Sequence, residues 1–231
     1  MRAWTGALVA GHASHAEWHR DFEAHLQLYA LQFPDITEDN TALRSGILQH
    51  LDVPHPLDVH IQEGTVFDLG GGCQLETYHF SGHVAHELGF FEPASKTLLL
   101  GDTLTLLEAP ILYGHVTVGG YRRTLQKIGE LLDELDIQQV LLSHYAPKSA
   151  GQIRDLIQET AEYLDRIDTI VLNLITGHQV ITLQDLWQAV CKTMKRACDY
   201  RALRTIEAHV RGLIRQGKVK TLEPMVYGPA E

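Results

Sequence analysis

Apolar and polar residues alternate with different periods in different stretches of the chain. Residues 7–10 (Ala-Leu-Val-Ala) form a short apolar run that reads as a strand. Over residues 16–31, Trp18, Phe22, Leu26 and Tyr29 recur at three- and four-residue steps, which predicts an amphipathic helix. A polar segment holding Pro34, Asp35, Glu38, Asp39 and Asn40 separates it from a second predicted helix over 42–50. The period then shortens to two. Strands are expected over 59–61 and 66–69, then after the Gly70-Gly71-Gly72 turn over 73–80, with Leu75, Thr77 and His79 on one face and Glu76, Tyr78 and Phe80 on the other. Two more follow at 88–91 and 97–100, joined by a turn at Pro93-Ala94-Ser95-Lys96. Strands so closely spaced pair antiparallel. Helix returns over 121–135 with Leu125, Ile128, Leu131, Leu132 and Leu135 on one side, then a short apolar strand, Val140-Leu141-Leu142, within 138–143, and a long helix from about 151 to 173.

The rhythm changes near residue 165, which sets expected units at 1–165 and 166–231. In the second unit a helix closes at Gly177, Thr182 caps another, a third over 203–215 stops at Gly217, and residues 218–220 and 225–227 make a hairpin. Three helices followed by a β-ribbon is a winged-helix pattern.

Composition adds limits. The chain has 231 residues, 45% hydrophobic and 21% charged, an ordinary globular balance. Its formal charge of -10 argues against nucleic-acid binding by the surface as a whole. Residues 191–220 are the exception, with nine Lys and Arg against Asp199 and Glu207; this is either a solvated helix face or a phosphate-facing surface. Three cysteines, Cys73, Cys191 and Cys198, lack a disulfide framework, so a reducing cytoplasm is expected. No apolar run reaches 18 residues, so no membrane span is expected.

Three segments place a His or an Asp at the end of an apolar strand. His83 follows the strand ending at Phe80, Asp102 follows Leu98-Leu99-Leu100-Gly101, and His144 follows Val140-Leu141-Leu142-Ser143. Strand ends are where a rigid sheet can hold side chains around one point. Imidazole suits zinc or iron, and a carboxylate can bridge two cations. Each segment alone is weak; their order, and spacings of 19 and 42 residues, carry the signal.

That ordered set resembles the later motifs of the metallo-β-lactamase superfamily: a proline-glycine-histidine loop, a glycine-aspartate loop and a final strand-end histidine. The resemblance implies an α+β fold, an αββα sandwich that is N-terminally incomplete, with a winged-helix extension like that of some hydrolases in the superfamily. It implies that His83 binds one metal, Asp102 bridges two and His144 binds the other, with zinc as cofactor. Ser81 stands where the family has proline. The family's HxHxDH loop, which supplies most of the first metal site, does not occur in this sequence. The histidines at the start do not replace it: from either His12 or His15 the required positions are wrong, although His15 and His19 can share a helix face. Residues 5–10 align with the strand that normally follows the missing loop, so the chain is expected to lack its first sheet, with Met1 an internal methionine or the gene decayed.

The remaining histidines read more plainly. His86 either supports the His83 loop or lies on the surface, His115 either lines a substrate pocket or is a solvated loop residue, the commoner case, and His50, His55 and His60 are exposed. Three functional readings follow: a hydrolase of an ester, thioester, lactam or phosphodiester with a small-molecule substrate; a non-catalytic remnant; or a nucleic-acid module working through 191–220. In the first, the tail covers the mouth of the site or makes a homodimer contact.

Overall fold

The structure, a computed structural model, describes the chain except residues 1–4, 30, 31, 38–40, 42, 43, 47, 48, 50–53, 106, 108–110, 113 and 231. Strand β1 (Ala10–His12) leads through a 3₁₀ turn (Ala13–His15) to helices α1 (Ala16–Arg20) and α2 (Phe22–Tyr29). Then come β2 (Val59–Ile61), β3 (Val66–Gly70), β4 (Cys73–Phe80), β5 (Glu87–Glu92), β6 (Thr97–Gly101), α3 (Val118–Glu134), β7 (Gln139–Leu142) and α4 (Ala150–His178). The tail adds β8 (Ile181–Thr182), α5 (Leu183–Met194), α6 (Tyr200–Arg215), β9 (Val219–Glu223) and β10 (Val226–Pro229). This is an α+β chain, as the pattern predicts.

Strands β3 to β7 form one five-stranded sheet in sequence order. Its first four strands run antiparallel and β7 joins β6 in parallel. Tyr78 and Phe80 of β4 face a core built with Leu98, Leu100, Tyr121, Leu125, Ile128, Ile153 and Leu164, so α3 and α4 cover that face. His79 alternates to the other face, where β1 approaches β5. β1 itself pairs in parallel with β2.

The N-terminal elements differ from expectation in two ways. The first strand lies at Ala10–His12 rather than over 7–10 and so ends on a histidine. The helix expected over 16–31 is broken: Asp21 is extended (φ -139°), and its carboxylate accepts from the Glu23 N–H at 2.9 Å, capping a second helix. Of the helix expected over 42–50, residues 41 and 44–46 are helical, and 42, 43, 47, 48 and 50 lie outside the described residues.

Caps explain the other shifted boundaries. Helix α3 starts at Val118, three residues before the expected point, because Thr117 accepts from the Gly120 N–H and carries the helix through Gly119-Gly120. Ser149 and Gln152 form a reciprocal capping box at the start of α4, a feature worth about 1 kcal/mol. Helix α4 then runs 29 residues, past Gly177, until Gln179 adopts φ +62°. It crosses residue 165 unbroken and serves two cores. Ile153, Leu156 and Leu164 pack under the sheet; Tyr163, Ile167, Val171 and Ile175 pack with Leu186, Val190, Leu203, Ile206 and Leu213 of the tail. Thr182 caps α5, and Gly217 follows α6 at φ +69°. β10 pairs antiparallel with both β8 and β9, extending the expected hairpin to three strands.

Candidate metal centre

The His83 loop is fastened from two sides. The Ser81 N–H donates to Thr124 Oγ1 of α3 at 2.9 Å, and that hydroxyl donates to the Ser81 carbonyl at 2.7 Å. A proline at position 81 has no N–H for the first bond. The Val116 N–H donates to the Gly82 carbonyl at 2.6 Å. His83 Nδ1 lies 2.7 Å from the Gly114 carbonyl and donates to it, which leaves Nε2 for another partner. Burial holds the His83 pKa below its ordinary value; the Gly114 carbonyl and the charge of Asp102 pull the other way.

Asp102 and His144 leave neighbouring strands. The parallel β6–β7 register shifts between Leu99 and Gly101, and the Ser143 N–H then donates to the Gly101 carbonyl at 2.8 Å. His144 sits at φ +70°, and its Nε2 lies 3.4 Å from Asp102 Oδ1. Two ligands of one zinc ion, with tetrahedral geometry and bonds near 2.1 Å, also lie about 3.4 Å apart. Glu87 holds this corner: its carboxylate accepts from the Asp102 N–H at 3.1 Å, and burial pushes its pKa up to about 7.

The structure thus brings Asp102 and His144 together and sets His83 within electrostatic reach of Asp102. Among the described residues, however, the tight group of three donors is a different one. One ligand atom each from His12, His79 and His86 lies within 4.8 Å of the other two. His79 Nε2 is 3.0 Å from His86 Nδ1, and the His12 ring stacks on that of His86 with centroids 4.4 Å apart. In the sequence His12 stands out only as a failed start of HxHxDH, and His79 only as one position of a strand. The available signal was the pleat, which turns His79 away from Tyr78 and Phe80.

His115 corrects the reading of a solvated loop residue. It is 1% exposed, its Nε2 lies 3.0 Å from Nε2 of the fully buried His209, and its N–H donates to Thr205 Oγ1 at 3.1 Å. His55 and His60 are exposed, and His50 lies outside the described residues. A cavity of about 270 Å³ beside the His83 loop is lined by Trp18, Val84, Ala85, Thr117, Arg204 and Arg211.

Six described histidines (His12, His15, His25, His79, His83 and His209) are held below the ordinary value of 6.5, burial being the first cause for each, and His15 reaches about 4. The unfolded chain takes up protons there that the folded chain resists, so this stability is full above pH 6.5 and is lost as pH falls through the folded values. Glu87 and Glu207, raised by burial, act oppositely: their contribution is full below the ordinary carboxylate value and is lost as pH rises, for Glu87 through about 7. Glu23, Glu92 and, against its burial, Asp168 are held low by hydrogen bonds and act in the same direction as the histidines at the acid end. Against Glu87 and Glu207, the melting temperature of the metal-free protein is therefore expected to fall steadily from pH 6.5 to 4, as thermal melts across that range can check.

No protein-family model matches the sequence, and no curated protein sequence matches it. Solved structures do. A metallo-beta-lactamase family protein from Thermus thermophilus superposes with a TM-score of 0.73 at 20% identity, over 96% of this chain and 72% of that one. A beta-lactamase domain protein from Burkholderia ambifaria gives a TM-score of 0.61 at 16% identity, over 80% of this chain and 55% of that one. The chain has the metallo-β-lactamase fold.

Proposed function

We propose that this chain carries part of the metal centre of a zinc-dependent hydrolase, with His83, Asp102 and His144 as ligands and a small ester, thioester or phosphodiester as substrate. The observation that carries this reading is the 3.4 Å contact between Asp102 Oδ1 and His144 Nε2, made by side chains leaving adjacent parallel strands. His83 fits the same role because its other ring nitrogen is held by a carbonyl, as ligating histidines require. When bound, zinc ions polarise a substrate oxygen and supply hydroxide near neutral pH. The chain's own part is positional: Gly114 aims His83, and Glu87 holds the Asp102 backbone. HxHxDH does not occur in this sequence, so turnover rests on these residues alone and is expected to be slow.

The tail supports a covering role. Its order of helix, strand, two helices and two strands supports the winged-helix reading of the tail. The helix in the position of a recognition helix, α6, buries one face through Thr205 and His209 and leaves Arg211 and Arg215 exposed, with Arg211 donating to the Val116 carbonyl. These and the outward Lys192, Lys195, Lys218 and Lys220 are what a nucleic acid would meet; with a formal charge of -10 on the whole chain, we favour a small-molecule substrate over nucleic acid and leave a homodimer contact to the exposed tail surface. Among the described residues no helix is long and apolar enough to cross a membrane. The cysteines are free, which suits the cytoplasm proposed here.

The test is hydrolysis of chromogenic ester, thioester and phosphodiester substrates by the zinc-loaded full chain. Asp102→Asn and His144→Ala are each expected to lower the rate at least about 100-fold without changing the fold. Zinc-loaded protein no faster than buffer, or an unchanged Asp102→Asn rate, returns the chain to the non-catalytic reading.

A further inference from the structure

We propose that His12, His79 and His86 form a second site, for a divalent transition-metal ion of the zinc class, separate from the Asp102–His144 corner. Three segments converge to make it. His12 ends β1, His79 stands next to last in β4, and His86 immediately precedes β5. Their positions are set by backbone pairing: His12 opposite Ile61 in the β1–β2 pair, and His79 opposite Leu88 in the β4–β5 ladder. Ile61 is buried, so the strand pair carrying His12 is anchored.

The donor set points to one class of ion. Three imidazoles with no carboxylate among them suit zinc, cobalt, nickel or copper, and do not suit magnesium or calcium, which take oxygen ligands. Nδ1 of His12 accepts from the Ser14 N–H at 3.3 Å and lies 2.6 Å from Ser14 Oγ, so an ion at Nε2 requires the ring proton to move to Nδ1, where the Ser14 hydroxyl can accept it. His79 and His86 approach to 3.0 Å, close to the spacing of two ligands on one ion. Without metal one of these nitrogens donates to the other; binding requires that proton to move to the far nitrogen of its ring. The His12 and His86 rings are stacked, so coordination requires them to turn about χ2 until their lone pairs converge. An open cavity of about 250 Å³ lined by His12, His15, His19 and His86 gives room for that turn and for a fourth ligand. An ion here ties β1 to the five-stranded sheet across the face opposite α3 and α4.

This inference does not depend on the hydrolase reading, and the experiment separates the two. Full-length protein is stripped with chelator and titrated with CoCl2, following visible absorption and bound metal, and its melting temperature is measured with and without ZnCl2. His12→Ala, His79→Ala and His86→Ala are each expected to lose one equivalent of cobalt, with at least about a tenfold weaker affinity, while Asp102→Asn and His144→Ala keep it. Zinc is expected to raise the melting temperature of Asp102→Asn protein, and to raise that of His12→Ala protein less than that of the wild type. His12 is the variant of record if a β4 or β5 substitution unfolds the sheet. The proposal is overturned if the stripped protein takes up no cobalt, or if all bound cobalt disappears in Asp102→Asn and survives in His12→Ala.

Discussion

Gly82→Ala protein is expected to melt roughly 10 °C below the wild type, on a cost of about 3–5 kcal/mol at 2–4 °C for each. Gly82 has φ +132°, a conformation that L side chains rarely adopt. A Cβ there would lie 2.5 Å from Tyr121 Cα and 2.6 Å from its Cβ. These atoms belong to the first turns of α3, fixed by the Thr117 cap and by the buried Tyr121 ring, so neither side can yield cheaply. The loop must move instead, and it carries both His83 and His86. The matched control is Gly129→Ala on the same helix, where a Cβ meets nothing within 4 Å. That change is expected to stabilise by about 0.5–1 kcal/mol through helix propensity. Calorimetry or thermal circular dichroism gives the two shifts; a Gly82→Ala melt within a few degrees of the wild type would sink the close-approach argument.

Which parts were legible follows from how far each signal reaches along the chain. The sheet and its helices repeat within ten residues: alternation in β4, the leucine face of α3 and the Thr182 cap all appear locally, and all are found in place. Misplaced boundaries came from local chemistry of the opposite sign. Asp21 looked like one more polar position on a helix, yet its carboxylate caps a new one. Gly177 looked like a helix end, yet the continuing apolar face of α4 carries the helix through it, and the Thr117 cap starts α3 three residues before the expected Tyr121. At the site, His83, Asp102 and His144 could be singled out because each ends an apolar strand. The His12–His79–His86 group was hidden because His12 joins β4 from 67 residues away and is brought there by β1, a strand of only three residues. His115 and His209 were hidden in the same way, being 94 residues apart.

His209→Ala is expected to cost about 3–5 kcal/mol, because it opens a cavity at a fully buried position, leaves the buried His115 ring without its partner and leaves the half-buried Asp168 with Arg122 alone. His209 is fully buried; its Nδ1 lies 2.6 Å from Asp168 Oδ1 and its Nε2 lies 3.0 Å from His115 Nε2. Burial holds its pKa below the ordinary value despite the neighbouring carboxylate, so the ring is neutral. Burial alone would raise the Asp168 pKa, but hydrogen bonds from His209 and Arg122 outweigh it and keep that carboxyl low and charged. The charge decides the tautomers: His209 donates from Nδ1 to the carboxylate, its Nε2 accepts, and His115 donates from Nε2. With the Thr205 hydroxyl on the His115 N–H, helix α6 holds residue 115 by both backbone and side chain. The preceding residue, Gly114, offers the carbonyl that orients His83. The tail and the metal corner are therefore joined through one short segment, and His209→Ala is expected to loosen His83 as well as lower the melting temperature. Denaturant unfolding compares it with Arg154→Ala, which removes an exposed ion pair with Asp133 and is expected to cost no more than about 1 kcal/mol. Equal costs for the two variants would show that the buried pair contributes no more than a surface one. In that case the tail would have to be held by its apolar core alone, through Ile167, Val171, Ile206 and Leu213.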